Sequence, residues 1–185
     1  MKKFRESWNY LKENRSYVYA VILLFAAGIV IGAAFSDKFT FIDDFLKGIA
    51  EKTAGMSTPR LILFIFQNNL QSAFAGLFFG IVLGIFSIFD CILNGVVLGY
   101  VMKRVWMNSG FWDFWRILPH GIFELPAIFI SLALGLKLGM FIFAKAKIKE
   151  LKKRLLNSAI IFVVIVIPLL VAAAIIEGLL ILAYK

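Results

Sequence analysis

A histidine and a carboxylate stand four residues apart at the start of a long apolar stretch, in the segment 119–126 that reads Pro-His-Gly-Ile-Phe-Glu-Leu-Pro. These residues, His120 and Glu124, share one face of a helix, because positions i and i+4 lie on the same side. A charge near hydrocarbon is costly unless it is paired or hydrated. The imidazole and the carboxylate could bind a divalent cation or exchange protons, which makes the pair a functional candidate.

Polar residues from other apolar stretches are expected at the same depth as Glu124. At a rise of about 1.5 Å per residue, Glu124 lies about 8 Å along its helix and Asn69 about 12 Å along another. Glu177 lies about 12 Å before the last residue, and Asn94 lies nearer the middle of its own stretch. We therefore predict one buried polar site made of Asn69, Asn94, His120, Glu124 and Glu177. Within it, His120, Glu124 and Glu177 are the candidate ligands for a divalent cation, and no other cofactor is expected.

Most of these residues also have a purely structural explanation. Glu124 follows a proline that suits the first turn of a helix, where the helix dipole favours a carboxylate. His120 could rest beside Trp115 at the membrane boundary, and asparagines could bond across helices for about 1 kcal/mol. Glu177 is harder to explain in this way, because apolar residues flank it on both sides. An acid in that position needs a partner or water.

Motifs of catalysis are weak or missing in the chain. No serine or cysteine stands at a recognisable nucleophile spacing from His120. No glycine-rich phosphate loop and no His-Glu-x-x-His motif occurs. We therefore predict that the protein is not an enzyme.

Composition indicates an integral membrane protein. The chain has 185 residues, of which 62% are hydrophobic, and the mean hydropathy is +0.91. Soluble domains contain about 45–50% apolar residues. The net charge of +9 comes from basic residues beside apolar stretches, so it indicates topology and contacts with anionic lipids rather than nucleic acid. The single cysteine, Cys91, excludes an intrachain disulfide.

Hydropathy predicts an all-α fold, a polytopic bundle of five transmembrane helices with amphipathic surface helices. A spanning helix needs about 20 apolar residues. Residues 1–16 are predicted to form an interfacial amphipathic segment, for which a solvated tail is the alternative, and residues 17–185 the transmembrane domain. A second surface helix is expected in 36–60, and the aromatic-rich connector 103–118 is typical of a membrane boundary. The predicted spans are 17–35, two spans within 61–102 that turn near 86–90, 119–143, and 158–183 with a kink at Pro168.

Basic residues predict the orientation of the bundle. Five Lys and Arg precede the first span and six more lie in 145–154, whereas eight lie on the opposite side. Because basic loops stay in the cytoplasm, we expect a multi-pass protein of the plasma membrane. Its N-terminus is expected inside and its C-terminus outside.

Glycines recur at every fourth position in several spans. Gly76, Gly80 and Gly84 form the longest such series. Small residues at this spacing let helices approach closely in lipid. These glycines either pack within the protomer or pair two copies in a homo-oligomer, and both interpretations stay open at this point.

The chain resembles the stage II sporulation protein M family of polytopic membrane proteins. The resemblance rests on the pair Asn68-Asn69, on the segment 94–99, on Pro119-His120-Gly-Ile-Phe-Glu124 with its following Leu-Pro, and on the late Ala-Ile-Ile-Glu ending at Glu177. It implies a membrane scaffold, since the member that gives the family its name associates with a pair of cell-wall hydrolases in spore-forming bacteria. The family also occurs in archaea that make no spores, so sporulation is not implied for this chain.

Two function classes follow. The first is a non-catalytic membrane scaffold that recruits other membrane proteins through its glycine seams and aromatic connector. The second is a cation or proton channel or transporter that uses the intramembrane carboxylates Glu124 and Glu177. The resemblance favours the scaffold, whereas the buried acids favour transport.

Overall fold

The computed structural model describes residues 2–110 and 118–183, without the side chains of residues 2, 109, 118–120, 182 and 183. The described part of the chain is helical and contains no strand, so the predicted all-α fold is confirmed. Most of the aromatic connector, at 111–117, lies outside the described residues. The helices are α1 Lys2–Glu13, α2 Arg15–Ala34, α3 Phe41–Thr53, α4 Thr58–Phe78, α5 Ile85–Ser109, α6 Leu118–Gly139, α7 Lys147–Ile161 and α8 Ile167–Ala183.

Five helical segments of the described chain are long and apolar enough to cross a membrane, as predicted. They are α2, α4, α5, α6 and the continuous α7–α8. Since consecutive spans alternate in direction, α1, the turn 79–84 and the connector 140–146 share one end of the bundle, called the near end below. The helix α3 lies at the opposite, far end.

The turn between α4 and α5 lies earlier than the predicted 86–90, and that prediction is wrong. The helix α4 ends at Phe78, a 3₁₀ turn follows at Phe79–Ile81, and α5 begins at Ile85. Gly84 precedes α5 with a φ of 73°, a left-handed conformation that a glycine adopts without strain. The glycine therefore sets the position of the turn.

The last span begins earlier than the predicted residue 158. The basic segment forms the first turns of α7, which continues through a π-helix at Phe162–Val166 into α8. Pro168 has no N–H to donate, and its ring crowds the carbonyl four residues earlier, at Val164. The π-helix lies at this point, so the irregularity expected near Pro168 is present as a widened turn.

The helices α2 and α5 pack backbone against backbone. A Cβ added to Gly99 would lie 2.1 Å from the carbonyl oxygen of Ile29, and one added to Gly95 would lie 2.4 Å from that of Phe25. Gly28 and Gly32 occupy the matching positions on α2. No larger side chain fits this seam without moving a helix.

The glycines proposed for a homo-oligomer are buried inside the protomer. A Cβ added to Gly76 would meet Leu132 of α6 at 2.5 Å, and one added to Gly80 would meet the backbone of Gly135 at 2.5 Å. Gly84 lies against Leu136 in the same way. This series is therefore occupied by α6 and is not available to a second copy. Self-association through another face stays a prediction.

The fourth span, α6, is the central helix of the bundle. It contacts α4 and α8 on one side and α2 and α5 on the other. Leu132 and Ser131, at its middle, have no exposed surface. The middle of α6 is therefore enclosed by other helices.

The N-terminal helix α1 docks on the near end of the bundle. Leu11 belongs to the same buried cluster as Ile161 and Phe162 of the last span, and Ser7 is 4% exposed. On its other side Phe4 and Trp8 are about half exposed, at 53% and 46%. The predicted amphipathic helix is thus present. Its insertion into a lipid surface stays a prediction.

Candidate functional site

Three helices bring Asn69, Glu124 and Glu177 together at the far half of the bundle. Small residues of α8 allow the approach, since a Cβ added to Gly178 would lie 2.3 Å from the side chain of Ile62 on α4. Ala174, one turn earlier, is 1% exposed within the same contact. The close packing of α8 on α4 thus carries Glu177 into the layer of the other two side chains.

Two neighbouring asparagines of α4 lie close to Glu124 of α6. The Asn68 side-chain amide donates to the Oδ1 of Asn69 at 3.5 Å. The side chain of Asn69 lies beside the Glu124 carboxylate and interacts with it electrostatically. Asn69 is 8% exposed, so its amide is largely shielded from solvent.

The carboxylates of Glu124 and Glu177 interact electrostatically across α6 and α8. Both side chains are partly buried. Two neighbouring carboxylates in apolar surroundings are stable when they share a proton or hold a cation between them. Binding of a proton or a small cation at these carboxylates stays a prediction. Asn69 supplies a donor for one carboxylate and a carbonyl oxygen that could also contact a cation.

The remaining two predicted site residues are placed differently. The backbone of His120 belongs to the first turn of α6, and its side chain lies outside the described residues. Asn94 donates to the Oδ1 of Asp90 at 3.0 Å and to its carbonyl oxygen at 2.8 Å, within α5. Asn94 and Asp90, one helical turn apart, thus form a separate polar pair within α5. Among the side chains that the structure describes, no group of three His, Cys, Asp or Glu residues converges as a metal site.

Small polar side chains that the sequence analysis did not single out join the spans. Ser87 of α5 donates to the carbonyl oxygen of Gly76 at 2.7 Å. Ser131 of α6 donates to that of Ala73 at 2.5 Å. The buried thiol of Cys91 donates to the carbonyl oxygen of Val21 on α2 at 3.2 Å. These contacts connect α4 to α5 and α6, and α5 to α2, and serine or cysteine within an apolar stretch is their only signal in the sequence.

A network of three side chains holds α3 against α5 at the far end. Arg104 donates to the Oδ2 of Asp43 at 2.5 Å and to the hydroxyl of Tyr100 at 2.9 Å. The Tyr100 hydroxyl, followed by the Arg104 guanidinium, holds the pKa of Asp43 below its ordinary value. Ile42 and Tyr100 are buried beside this network. The surface helix is therefore fixed to the bundle.

A second network joins α1 to the near ends of α6 and α7. The Lys137 ammonium donates to the Oδ1 of Asn14 and lies 4.0 Å from the centre of the Tyr10 ring. Arg154 donates to the Lys137 carbonyl at 2.8 Å and pairs with Glu150 at 3.3 Å. Burial raises the pKa of Tyr10. Lys137 falls within the predicted fourth span, and these contacts show that it anchors α1 to α6.

Comparison with known proteins agrees with this architecture. The sequence model described as Stage II sporulation protein M matches residues 21–180, most of the chain. The chain belongs to this family. The resemblance carried by the Asn-Asn and Pro-His-Gly-x-x-Glu segments is thereby confirmed, and Asn69, Glu124 and Glu177 all lie within the matched region.

One relative from an archaeon has measurable sequence identity. The chain is 32% identical over 131 residues to an uncharacterised protein of Methanocaldococcus jannaschii. The alignment covers 64% of this chain and 54% of the relative. The aligned region thus spans about half the length of that relative. No solved structure matches the chain significantly.

Proposed function

We propose that the protein is a non-catalytic scaffold of the plasma membrane, whose packed helices hold other membrane proteins in fixed positions. The observation that carries this proposal is the direct backbone contact between α2 and α5, where a Cβ at Gly99 would come within 2.1 Å of Ile29. Close contact of this kind fixes the relative positions of helices in lipid. Family membership supports the same function.

Charge supports an orientation with the near end in the cytoplasm. The near end contains α1 and the start of α7, which carry most of the eleven Lys and Arg counted for that side. Basic segments beside spans are retained in the cytoplasm. The far end, with α3, then faces the outside.

The surface of α3 is the proposed contact for a partner protein. Phe41 and Phe45 are 61% and 60% exposed on this helix, while Ile42 and Asp43 hold its other side to α5. Exposed aromatic residues on a fixed support are frequent anchors in protein interfaces. A membrane protein or a second copy of this chain could occupy the surface.

Transport of cations or protons is the second candidate function, and one specific observation favours it. Glu124 interacts electrostatically with Glu177 across two helices in the apolar part of the bundle, and Asn69 lies beside Glu124. Ionisable groups at such positions often mark ion or proton pathways.

Flux through reconstituted protein distinguishes the two functions. The unmodified chain, Glu124→Gln and Glu51→Gln would be placed in liposomes with imposed proton, sodium and potassium gradients. Glu51 is an exposed carboxylate on α3, so its substitution makes the same chemical change away from the site. The scaffold predicts flux equal to that of empty liposomes for all three proteins. Flux that is altered by Glu124→Gln and kept in Glu51→Gln would establish transport instead.

Cross-linking in cells tests the scaffold function by detecting a partner at α3, independently of the flux measurement. A photoreactive amino acid at Phe45 should give a discrete cross-linked product in cells that make the unmodified protein. The product should persist in Glu124→Gln, because α3 is held by α5 through Asp43 and Arg104, and decline in Gly99→Val, because α5 is displaced. Absence of any discrete product from Phe45 and from Phe41 would contradict the proposed surface.

A further inference from the structure

An open groove of about 690 Å³ lies between α1, the first turns of α2, and α6. Its walls are almost entirely apolar and include Val18 and Ile22 of α2 and Pro126 and Phe129 of α6. Its size lies within the usual range for small-molecule sites, about 300–1,000 Å³. The groove is separate from the Asn69–Glu124–Glu177 site, whose residues do not line it.

The path of the chain explains why the groove exists. Asn14 has a non-helical backbone, with φ −114° and ψ 21°, and separates α1 from α2. Its side-chain amide donates to the carbonyl of Tyr10 at 2.7 Å, and its Oδ1 accepts from Lys137. These bonds hold the break between the two helices, and α6 forms the third wall. The shape therefore belongs to the folded chain.

Two cations stand at the polar end of this apolar groove. Lys12 and Arg15 line it and are exposed. Among the residues that the structure describes, neither forms an ion pair with a carboxylate. The Lys12 ammonium lies 5.9 Å from the centre of the Trp8 ring, which also lines the groove. An indole beside cations is typical of the headgroup level of a membrane.

The opposite end of the groove lies in the apolar layer. Ile22 is seven residues after Arg15 on α2, so it lies about 10 Å deeper along the helix. Pro126 and Phe129 reach the groove from the middle part of α6. A ligand that fits must therefore carry negative charge at one end and a long apolar chain at the other.

We infer that this groove binds one anionic phospholipid, with its phosphate at Lys12 and Arg15 and an acyl chain along Val18, Ile22 and Phe129. Charge complementarity selects this occupant. The phosphate of a zwitterionic lipid is already balanced by the ammonium group of its own headgroup, and an apolar helix of another protein offers the two cations no anion. Basic side chains at a membrane surface favour anionic lipids. The bound lipid would join α1 to α2 and α6.

Quenching of Trp8 fluorescence by brominated lipids tests the site directly. The full chain carrying Trp106→Phe, Trp112→Phe and Trp115→Phe keeps Trp8 as its only indole, in the wall of the groove. In vesicles of phosphatidylcholine, brominated phosphatidylglycerol should quench Trp8 at about tenfold lower mole fraction than brominated phosphatidylcholine. Lys12→Gln with Arg15→Gln should remove this preference.

Two control variants distinguish lipid binding in the groove from a general effect of surface charge and from a general effect of a larger side chain. Lys3→Gln with Arg5→Gln removes the same charge from exposed positions of α1, and the preference should survive. Ile22→Phe fills the groove and should reduce quenching by the anionic lipid, whereas Leu23→Phe, at a 70% exposed neighbour outside the groove, should not. Native mass spectrometry of the unmodified chain with an equal mixture of both lipids should retain phosphatidylglycerol preferentially.

Three results would overturn the inference. The first is equal quenching by the two brominated lipids together with equal retention in mass spectrometry. The second is equal loss of the preference in both pairs of charge variants, which would show diffuse attraction to the surface. The third is an unchanged preference in Lys12→Gln with Arg15→Gln.

Discussion

A single methyl group at Gly99 should separate α2 from α5. The added Cβ of Gly99→Ala would lie 2.1 Å from the carbonyl oxygen of Ile29 and 2.8 Å from its Cα and carbonyl carbon. Ordinary contact begins near 3.4 Å, so the helices must move apart by about 1 Å. All three atoms belong to the backbone, and no side-chain rotation can relieve the clash.

The expected cost of this substitution is at the upper end of the range for overpacked cores, about 3 kcal/mol. The displacement would also reduce the neighbouring close contacts at Gly28 and Gly95. Reversible unfolding in mixed micelles, followed by circular dichroism, measures the free energy of unfolding. The helical content of the folded state should stay unchanged.

Gly48→Ala is the matched control for this prediction. Gly48 lies within α3, and a Cβ added there would have nothing within 4 Å. Alanine favours helices over glycine by about 1 kcal/mol, so this variant should be as stable as the unmodified chain or more stable. If Gly99→Ala proved no less stable than Gly48→Ala, the backbone contact between α2 and α5 would be disproved.

Three further substitutions test the contacts around the bundle. The pKa of Asp43 is lower in the folded protein than its ordinary value of 3.8. The charged carboxylate therefore stabilises the fold fully above pH 3.8, and this stabilisation is lost as the pH falls through the lowered pKa. The difference in melting temperature between the unmodified chain and Asp43→Asn should therefore shrink on acidification, and a constant difference would contradict the network with Arg104. Ser131→Ala should cost about 1 kcal/mol in the free energy of unfolding, since it removes a bond between α6 and α4, whereas the exposed Ser16→Ala should cost nothing measurable. Lys137→Met should speed amide hydrogen exchange in α1 and leave α3 unchanged, and equal protection of α1 would show that this lysine is no anchor.

Hydropathy alone was sufficient to predict the five spans, because each is long and apolar. It does not locate the turn after α4, because the charged residue Asp90 lies inside α5, where Asn94 donates a hydrogen bond to its carboxylate. The left-handed glycine at Gly84 sets the turn, and hydropathy carries no such signal. Hydropathy also misses the start of the last span, because the basic segment before residue 158 is helical and continues into it.

Depth counting places Asn69, Glu124 and Glu177 in one layer, because rise per residue is nearly constant in helices, and their assembly into one site stays a prediction. It could not assign Asn94, since depth gives no rotation about the helix axis, and Asn94 bonds to its own helix. Contacts such as Asp43 with Arg104 join residues 61 positions apart and leave no local pattern. Such pairs become visible only when the order of helices in the bundle is known.

Thiol cross-linking of Glu124→Cys with Glu177→Cys tests the central claim, the meeting of these two carboxylates, most directly. The native thiol would be replaced by Cys91→Ser, which keeps a donor for the Val21 carbonyl. A short bifunctional thiol reagent should join the pair rapidly within one chain, and Asp90→Cys with Glu177→Cys should stay unlinked. If the reagent instead joined the control pair rapidly and left positions 124 and 177 unlinked, the proximity of Glu124 and Glu177 would be disproved.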